Sequence, residues 1–201
     1  LLGIKKDEYE FVDYPSSFPI VRSPVYCLMR GKVTHKTFGD EQAVSNWIDL
    51  IDEIIASRMH NRGIIHCVSY RHRDLIMDRS KYAKYMITHL PGSDRAMEAV
   101  KLYKATSPPC ILLSPAMTTG YDFPFDSCRW QIITKMPWPD TRSSIMTARC
   151  GSDFPYMSPE AREGRRYAAY VMWTDVVQAA GRGMRDSRDW CETFIIDGKV
   201  K

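Results

Sequence analysis

The chain has 201 residues, of which 44% are hydrophobic, 26% charged and 11% aromatic, a composition that excludes disordered and collagen-like classes. At this length roughly 70% of the surface exposed by an unfolded chain is buried on folding, so a single core needs no disulfide or metal staple. Lys and Arg total 28 against 24 Asp and Glu, and the resulting net charge of +4 is too small to establish a nucleic-acid partner by itself.

The first residues, 1–20, read as an extended lead-in. Each proline of Tyr14-Pro-Ser-Ser-Phe-Pro19 confines its predecessor to extended geometry. The domain proper is expected over 21–201. Val25 to Met29 is a first strand, and Glu41 to His60 carries Val44, Trp47, Ile48, Ile51, Ile54 and Ile55 at helical spacing, with Asp40 placed to cap that helix. Ile64 to Val68 suits a strand covered on both faces. Tyr85 to Thr88 is a strand, Asp94 an N-cap, and Ala96 to Ala105 a helix stopped before Pro108-Pro109. Ile111 to Ser114 and Gln131 to Met136 are further strands. Pro137 to Ser144 reads as an exposed loop, and Ser158-Pro159 starts a helix that runs on through Ala168 to Ala180. Thr193 to Ile196 closes the series, before Asp197-Gly198. Strands alternating with helices predict an α/β fold with a parallel sheet and functional loops at the carboxyl ends of its strands.

Six cysteines are scattered singly and predict reduced, mainly buried thiols without a metal-binding or iron–sulfur spacing. No apolar run approaches the ~20 residues that span a bilayer, so a non-secreted chain, cytoplasmic or nuclear and away from membranes, is expected. The chain starts at Leu1 rather than at Met, which fits part of a longer polypeptide.

Three stretches carry chemistry. Gln178-Ala-Ala-Gly181-Arg182-Gly-Met-Arg185 offers two arginines, reached through a glycine turn, whose forked guanidiniums suit phosphate oxygens; the alternative is a solvated turn pairing them with Asp175, Asp186 or Asp189. Ser114-Pro-Ala-Met-Thr118-Thr119-Gly120-Tyr121-Asp122 follows a strand with hydroxyls, a glycine and a carboxylate, or else is an ordinary turn. Gly63-Ile-Ile-His-Cys-Val-Ser69-Tyr70 puts a serine and an aromatic after another strand. Between Arg58 and Lys84 seven basic residues stand against Asp74 and Asp78, a local charge of +5 around Tyr70. This is either a single-strand-binding groove or a solvated face.

Two tempting motifs fail. Gly31-Lys32-Val-Thr34 is no P-loop, since Tyr26 and Val33 stand where a glycine and a hydroxyl are needed, and Gly39-Asp40-Glu41-Gln42 lacks the apolar strand of an acidic Mg²⁺ box. The five histidines form no catalytic pair, and His66 reads as a core residue.

In order and spacing, the three stretches resemble motifs IV, V and VI of superfamily 2 helicases, most of all DNA helicases of the XPD and DinG family. Ser16-Ser17-Phe18-Pro19, Trp130 to Pro139 and Ile195-Ile196-Asp197 add to the likeness. The resemblance is to the second RecA-like motor domain. It implies a three-layer sandwich, a mainly parallel sheet with helices on both faces. It also implies that Arg182 and Arg185 are arginine fingers on the ATP phosphates, and that Gln178, Gly181, Gly120 and Asp122 lie by the nucleotide. Ser69, Tyr70, Arg71, Arg73 and Thr118 would touch single-stranded DNA. Family members carry an acid just before the motif V glycine; here that position is Thr119, and the acid's role is not carried over. The sequence holds no phosphate cradle and no Mg²⁺-binding acid pair, so ATP and Mg²⁺ would be held mainly by an N-terminal motor domain of the same polypeptide. That makes this chain alone inactive in hydrolysis. The family also implies 5′→3′ polarity and, in many members, an iron–sulfur cluster in the other motor domain. A catalytically inert helicase-like module that binds single strands or a protein, and an unrelated phosphate-binding α/β enzyme, are the alternatives.

Overall fold

The computed structural model describes residues 7–16, 18–28, 37–115, 120–140, 142–150 and 159–197, with side chains of the last helix from Gly164 onward. Ser17, Met29, Gly31 to Thr34, Thr118, Thr119, Ser158 and Gly198 lie outside the described residues. Six parallel strands, β1 (Val25–Cys27), β2 (Gly63–His66), β3 (Met86–Ile87), β4 (Ile111–Ser114), β5 (Trp130–Ile133) and β6 (Glu192–Ile195), form one sheet in the order β1-β6-β5-β2-β4-β3. Among the described residues five α-helices accompany them: α1 (Glu41–Ala56), α2 (Tyr70–Arg79), α3 (Ser93–Ala105), α4 (Ser144–Cys150) and α5 (Pro159–Ala180).

Alternation along the strands sorts the core into two faces. Ile65, Leu113, Ile132 and Phe194 point to one face, where they meet Trp47, Ile51 and Ile55 of α1 and Ile76 of α2. Ile64 and Leu112 point to the other, against Ala99, Val100 and Tyr103 of α3. On that same face Ile133 and Ile195 meet Met172, Val176 and Ala179 of α5. The sheet is thus covered on both sides, and the expected three-layer α/β architecture is present.

Local chemistry explains most element ends. Asp40 caps α1 by accepting from the backbone N–H groups of Gln42 and Ala43. The helix stops at Ala56 rather than His60: the Arg58 N–H donates to the Ile55 carbonyl and the Asn61 N–H to the Arg58 carbonyl, three-residue turns that replace the helical ladder. Gly92, not Asp94, stands at the cap of α3; its φ of 128° is a conformation glycine adopts without a Cβ penalty. The sequence reading assigned neither α2 nor α4. Residues 9–16 are neither helix nor strand. All six cysteines are free thiols, Cys27 exposed and the other five buried. Among the described residues no helix is long and apolar enough to cross a membrane.

Candidate functional site

The connections leaving β4 and α5 meet beside one another. After α5 a short 3-10 turn, Gly181–Gly183, carries the backbone toward β6. The Phe123 N–H donates to the Arg182 carbonyl at 3.1 Å, and the Arg182 guanidinium donates back to the Tyr121 carbonyl at 3.1 Å. Asp122 then gathers both arginines: one carboxylate oxygen lies 3.5 Å from Arg182 Nη1 and 2.5 Å from Arg185 Nη2. Arg182 is largely covered, with its side chain 13% exposed, whereas Arg185 at 39% and Asp122 at 63% face outward. The acid partner of the two arginines is therefore Asp122, not the side chain of Asp175, Asp186 or Asp189. Asp186 pairs instead with Arg188, whose guanidinium holds the Asp186 carboxyl below its ordinary value.

Two glycines permit this convergence. Gly120 has a φ of 86°, which turns the loop toward the arginines. A Cβ on Gly183 would lie 2.4 Å from Cys191 Sγ, so only glycine lets the turn sit against β6. Gln178 is exposed near the end of α5, one turn before Gly181. Asp189, which the sequence offered only as a partner for the two arginines on a solvated turn, has another role. It is fully buried, and its carboxylate accepts from Arg129 Nη1, from the Phe125 and Trp190 N–H groups at 2.8 Å each, and from the Arg185 N–H at 3.4 Å. It fixes the backbone of the turn that carries Arg182 and Arg185 from behind. No local pattern marks it, because Phe125 and Arg129 reach it from the connection between β4 and β5.

A polar chain runs from β2 to the same turn. Gln131 Nε2 donates to the Ala180 carbonyl at 2.7 Å and to Thr193 Oγ1 at 2.9 Å, which leaves Gln131 Oε1 facing His66 Nε2 at 3.0 Å. The amide orientation makes His66 Nε2 the protonated nitrogen and Nδ1 the bare acceptor. Burial pulls the His66 pKa down to about 4, so the ring is neutral.

Beyond β2, Ser69 caps α2: its Oγ accepts from the His72 N–H at 3.3 Å and lies 2.7 Å from His72 Nδ1. Tyr70 is half-buried, with the Arg73 guanidinium 4.8 Å from its ring centre. Arg73 is buried and donates to the His89 carbonyl at 2.5 Å, whereas Arg71 is exposed and stacks 3.7 Å over the Phe38 ring. The basic cluster is split by the fold. Arg58 and Arg62 precede β2 and bond to Glu192 and to the Thr106 carbonyl, while Arg71 and Arg73 follow it. Four strand residues, roughly 13 Å, separate the two groups. Among the described residues no three His, Cys, Asp or Glu side chains gather as a metal-ligand set.

A mainly parallel six-stranded sheet with helices on both faces is the RecA-like fold. The model of the helicase C-terminal domain matches residues 53–201, and the chain belongs to that family. In fold it is similar to S. tokodaii Xpd4, with a TM-score of 0.63 at 12% identity over 98% of this chain and 38% of that one. It is also similar to an apo XPD structure, with a TM-score of 0.62 at 15% identity over 88% and 36%. S. cerevisiae Dbp5, a structure bound to RNA and ADP BeF3, matches with a TM-score of 0.57 at 9% identity over 96% and 40%. The chain spans less than half the length of each. No curated protein sequence matches it.

Proposed function

We propose that this chain is the second motor domain of an ATP-dependent DNA helicase of the XPD type. It would complete an ATP site whose phosphate cradle and Mg²⁺ ligands come from an N-terminal motor domain of the same polypeptide. The observation that carries this reading is the convergence of Arg182 and Arg185 on Asp122. Two guanidiniums held side by side on one carboxylate oxygen form a donor set that a γ-phosphate can take over, with three oxygens in place of one. Bound ATP supplies the phosphoryl group. Water takes up that group as the bond to ADP breaks; Arg182, anchored on the Tyr121 carbonyl, would neutralise the charge that develops on the phosphate oxygens, and the more exposed Arg185 would swing from Asp122 to the phosphate. Gly120, Gly181 and Gln178 shape the same margin.

Because Asp122 belongs to the connection after β4, its release couples phosphate contact to the neighbouring loops. Ser69, Tyr70, Arg71, Arg73 and Thr118 are proposed to face single-stranded DNA. In that group Arg71 supplies the exposed charge and Arg73 holds the Tyr70 ring. The cysteines carry no iron–sulfur role in this reading.

The test is Arg182→Ala and Arg185→Ala, each made in the whole polypeptide that carries this chain. ATP turnover is expected to fall about 10³-fold or more while single-strand affinity stays within roughly twofold. Unchanged turnover in both variants removes the fingers and leaves an inert binding module.

A further inference from the structure

The carboxyl end of β3 leads to a buried histidine that the site described above does not use. β3 pairs with β4 through Met86 and Ile87, and carrying that register two residues further sets His89 beside Ser114, the last residue of β4. Both side chains are buried. His89 Nδ1 donates to the Leu90 carbonyl at 2.9 Å, since a carbonyl oxygen only accepts, and this leaves Nε2 of the neutral ring as an acceptor. The Ser114 hydroxyl donates to that nitrogen at 2.6 Å.

On its other side His89 meets α2. Its backbone carbonyl accepts from Arg73 Nη1 at 2.5 Å, and the Tyr70 ring stands edge-on to the imidazole, at 88° with ring centres 6.2 Å apart. The Arg73 guanidinium also lies 4.8 Å from the Tyr70 ring centre, so Tyr70, Arg73 and His89 close a three-sided contact. An apolar pair could fill the space of His89 and Ser114 at little cost in stability. What a directional hydrogen bond adds is a fixed geometry. Here that geometry holds the first turn of α2 against the start of the connection that runs from Ser114 to Asp122.

Those two elements carry the two halves of the proposed site. α2 begins with Tyr70, Arg71 and Arg73 of the single-strand group, and the connection from Ser114 ends at Asp122, which holds Arg182 and Arg185. In the proposed function Asp122 has two arrangements, on the arginines or released from them by phosphate, and a ligand shifts such an equilibrium only through contacts that differ between the two. We propose that His89 is a positioning residue of that site: its ring sets the spacing between Tyr70 and the Asp122 connection, so that single-stranded DNA and ATP strengthen each other's binding. The assignment rests on the proposed function and deepens it. The ring makes the link to Ser114 and the backbone carbonyl makes the link to Arg73, so a side-chain substitution breaks the first and spares the second.

The test measures, on the whole polypeptide, the factor by which the non-hydrolysable analogue AMP-PNP with Mg²⁺ tightens the binding of a short oligo(dT) strand. Couplings of this kind are typically about 5–150-fold and reciprocal, so each variant is read in both directions. His89→Asn keeps a donor near the Nδ1 position and loses the acceptor for Ser114. It is expected to cut the factor to about a third of wild type or less, while affinity for the strand alone stays within about twofold. His89→Gln, whose amide oxygen reaches the Nε2 position, is expected to restore it. A residue that only supports the fold would weaken strand and nucleotide binding separately and leave the factor where it was. Ser114→Ala removes the same bond from its other end, is expected to cut the factor alike, and decides the outcome where His89→Asn does not fold. A factor unchanged in either variant, an equal loss in His89→Gln, or a wild type that binds strand and ATP without mutual effect overturns the positioning assignment and leaves the proposed function standing. A wild type that fails to bind either the strand or ATP ends the proposed function, and the assignment with it.

Discussion

The carboxylate of Asp189, wholly buried, accepts from the Arg129 guanidinium at 2.8 Å, and this pair joins the connection before β5 to the one before β6. The Asp189 carboxylate also receives three backbone N–H groups, so it is the hub beneath the turn that carries Arg182 and Arg185. Asp189→Ala is expected to cost about 3–5 kcal/mol, since it removes the acceptor of three amides and leaves the covered Arg129 guanidinium with only the exposed Asp126 carboxylate and the Trp190 carbonyl. Asp189→Asn, which keeps one acceptor, is expected to lose less. Urea denaturation measures both, and a loss below roughly 1 kcal/mol for the alanine variant contradicts the hub assignment.

Gly183→Ala is expected to destabilise by about 1–3 kcal/mol, because its Cβ would sit 2.4 Å from Cys191 Sγ in a closed space. The double variant Gly183→Ala with Cys191→Ala removes the sulfur that is struck. It is expected to recover part of the loss, and the non-additivity can be read directly from the two single variants.

Stability should depend on pH through His66. Its pKa is lowered from 6.5 to about 4, so the folded state binds fewer protons than the unfolded state between those values. The stabilisation is complete above pH 6.5 and is lost progressively as pH falls toward 4, by on the order of 3 kcal/mol. His66→Gln, which has no proton to gain, is expected to flatten that slope in urea titrations across the same window.

Arg71 and Arg73 are adjacent in the proposed role but opposite in environment. Arg71→Ala is expected to leave the fold intact and to lower the slope of log affinity against log salt by about 0.7 for single strands. Arg73→Ala is expected to lower the unfolding midpoint instead, because it leaves the buried His89 carbonyl without its guanidinium donor and uncovers the Tyr70 ring. A salt slope unchanged by Arg71→Ala would leave that arginine as a stacking partner of Phe38 alone.

Much of this arrangement was legible from residue order. The apolar spacing of α1, the short apolar runs of β2, β4 and β5, and the capping role of Asp40 follow from local periodicity, which the fold does not override. The two arginines were visible as a pair, and so was the loop that meets them. The helix α2 was not, because the face it buries is built from His72 and Arg73 together with Ile76, and a hydrophobic pattern counts the first two as surface. The basic run around Tyr70 looked like one patch because sequence distance ignores the strand that divides it. Asp122, Asp189 and Gln131 draw their partners from connections tens of residues away, so no window of sequence contains their environment.

The sheet order has a consequence for synthesis. Among the described residues β1 pairs with β6 alone, and β6 is the last of these six strands in chain order. Until Glu192 to Ile195 emerge, the earliest strand has no neighbour to join and β5 presents a bare edge, an aggregation-prone state that a nascent chain passes through. Residues 178 to 185 lie just ahead of that closing strand. Arg182 and Arg185 are therefore seated only once that strand pairs, and a chain arrested before it holds the turn that carries them without its support.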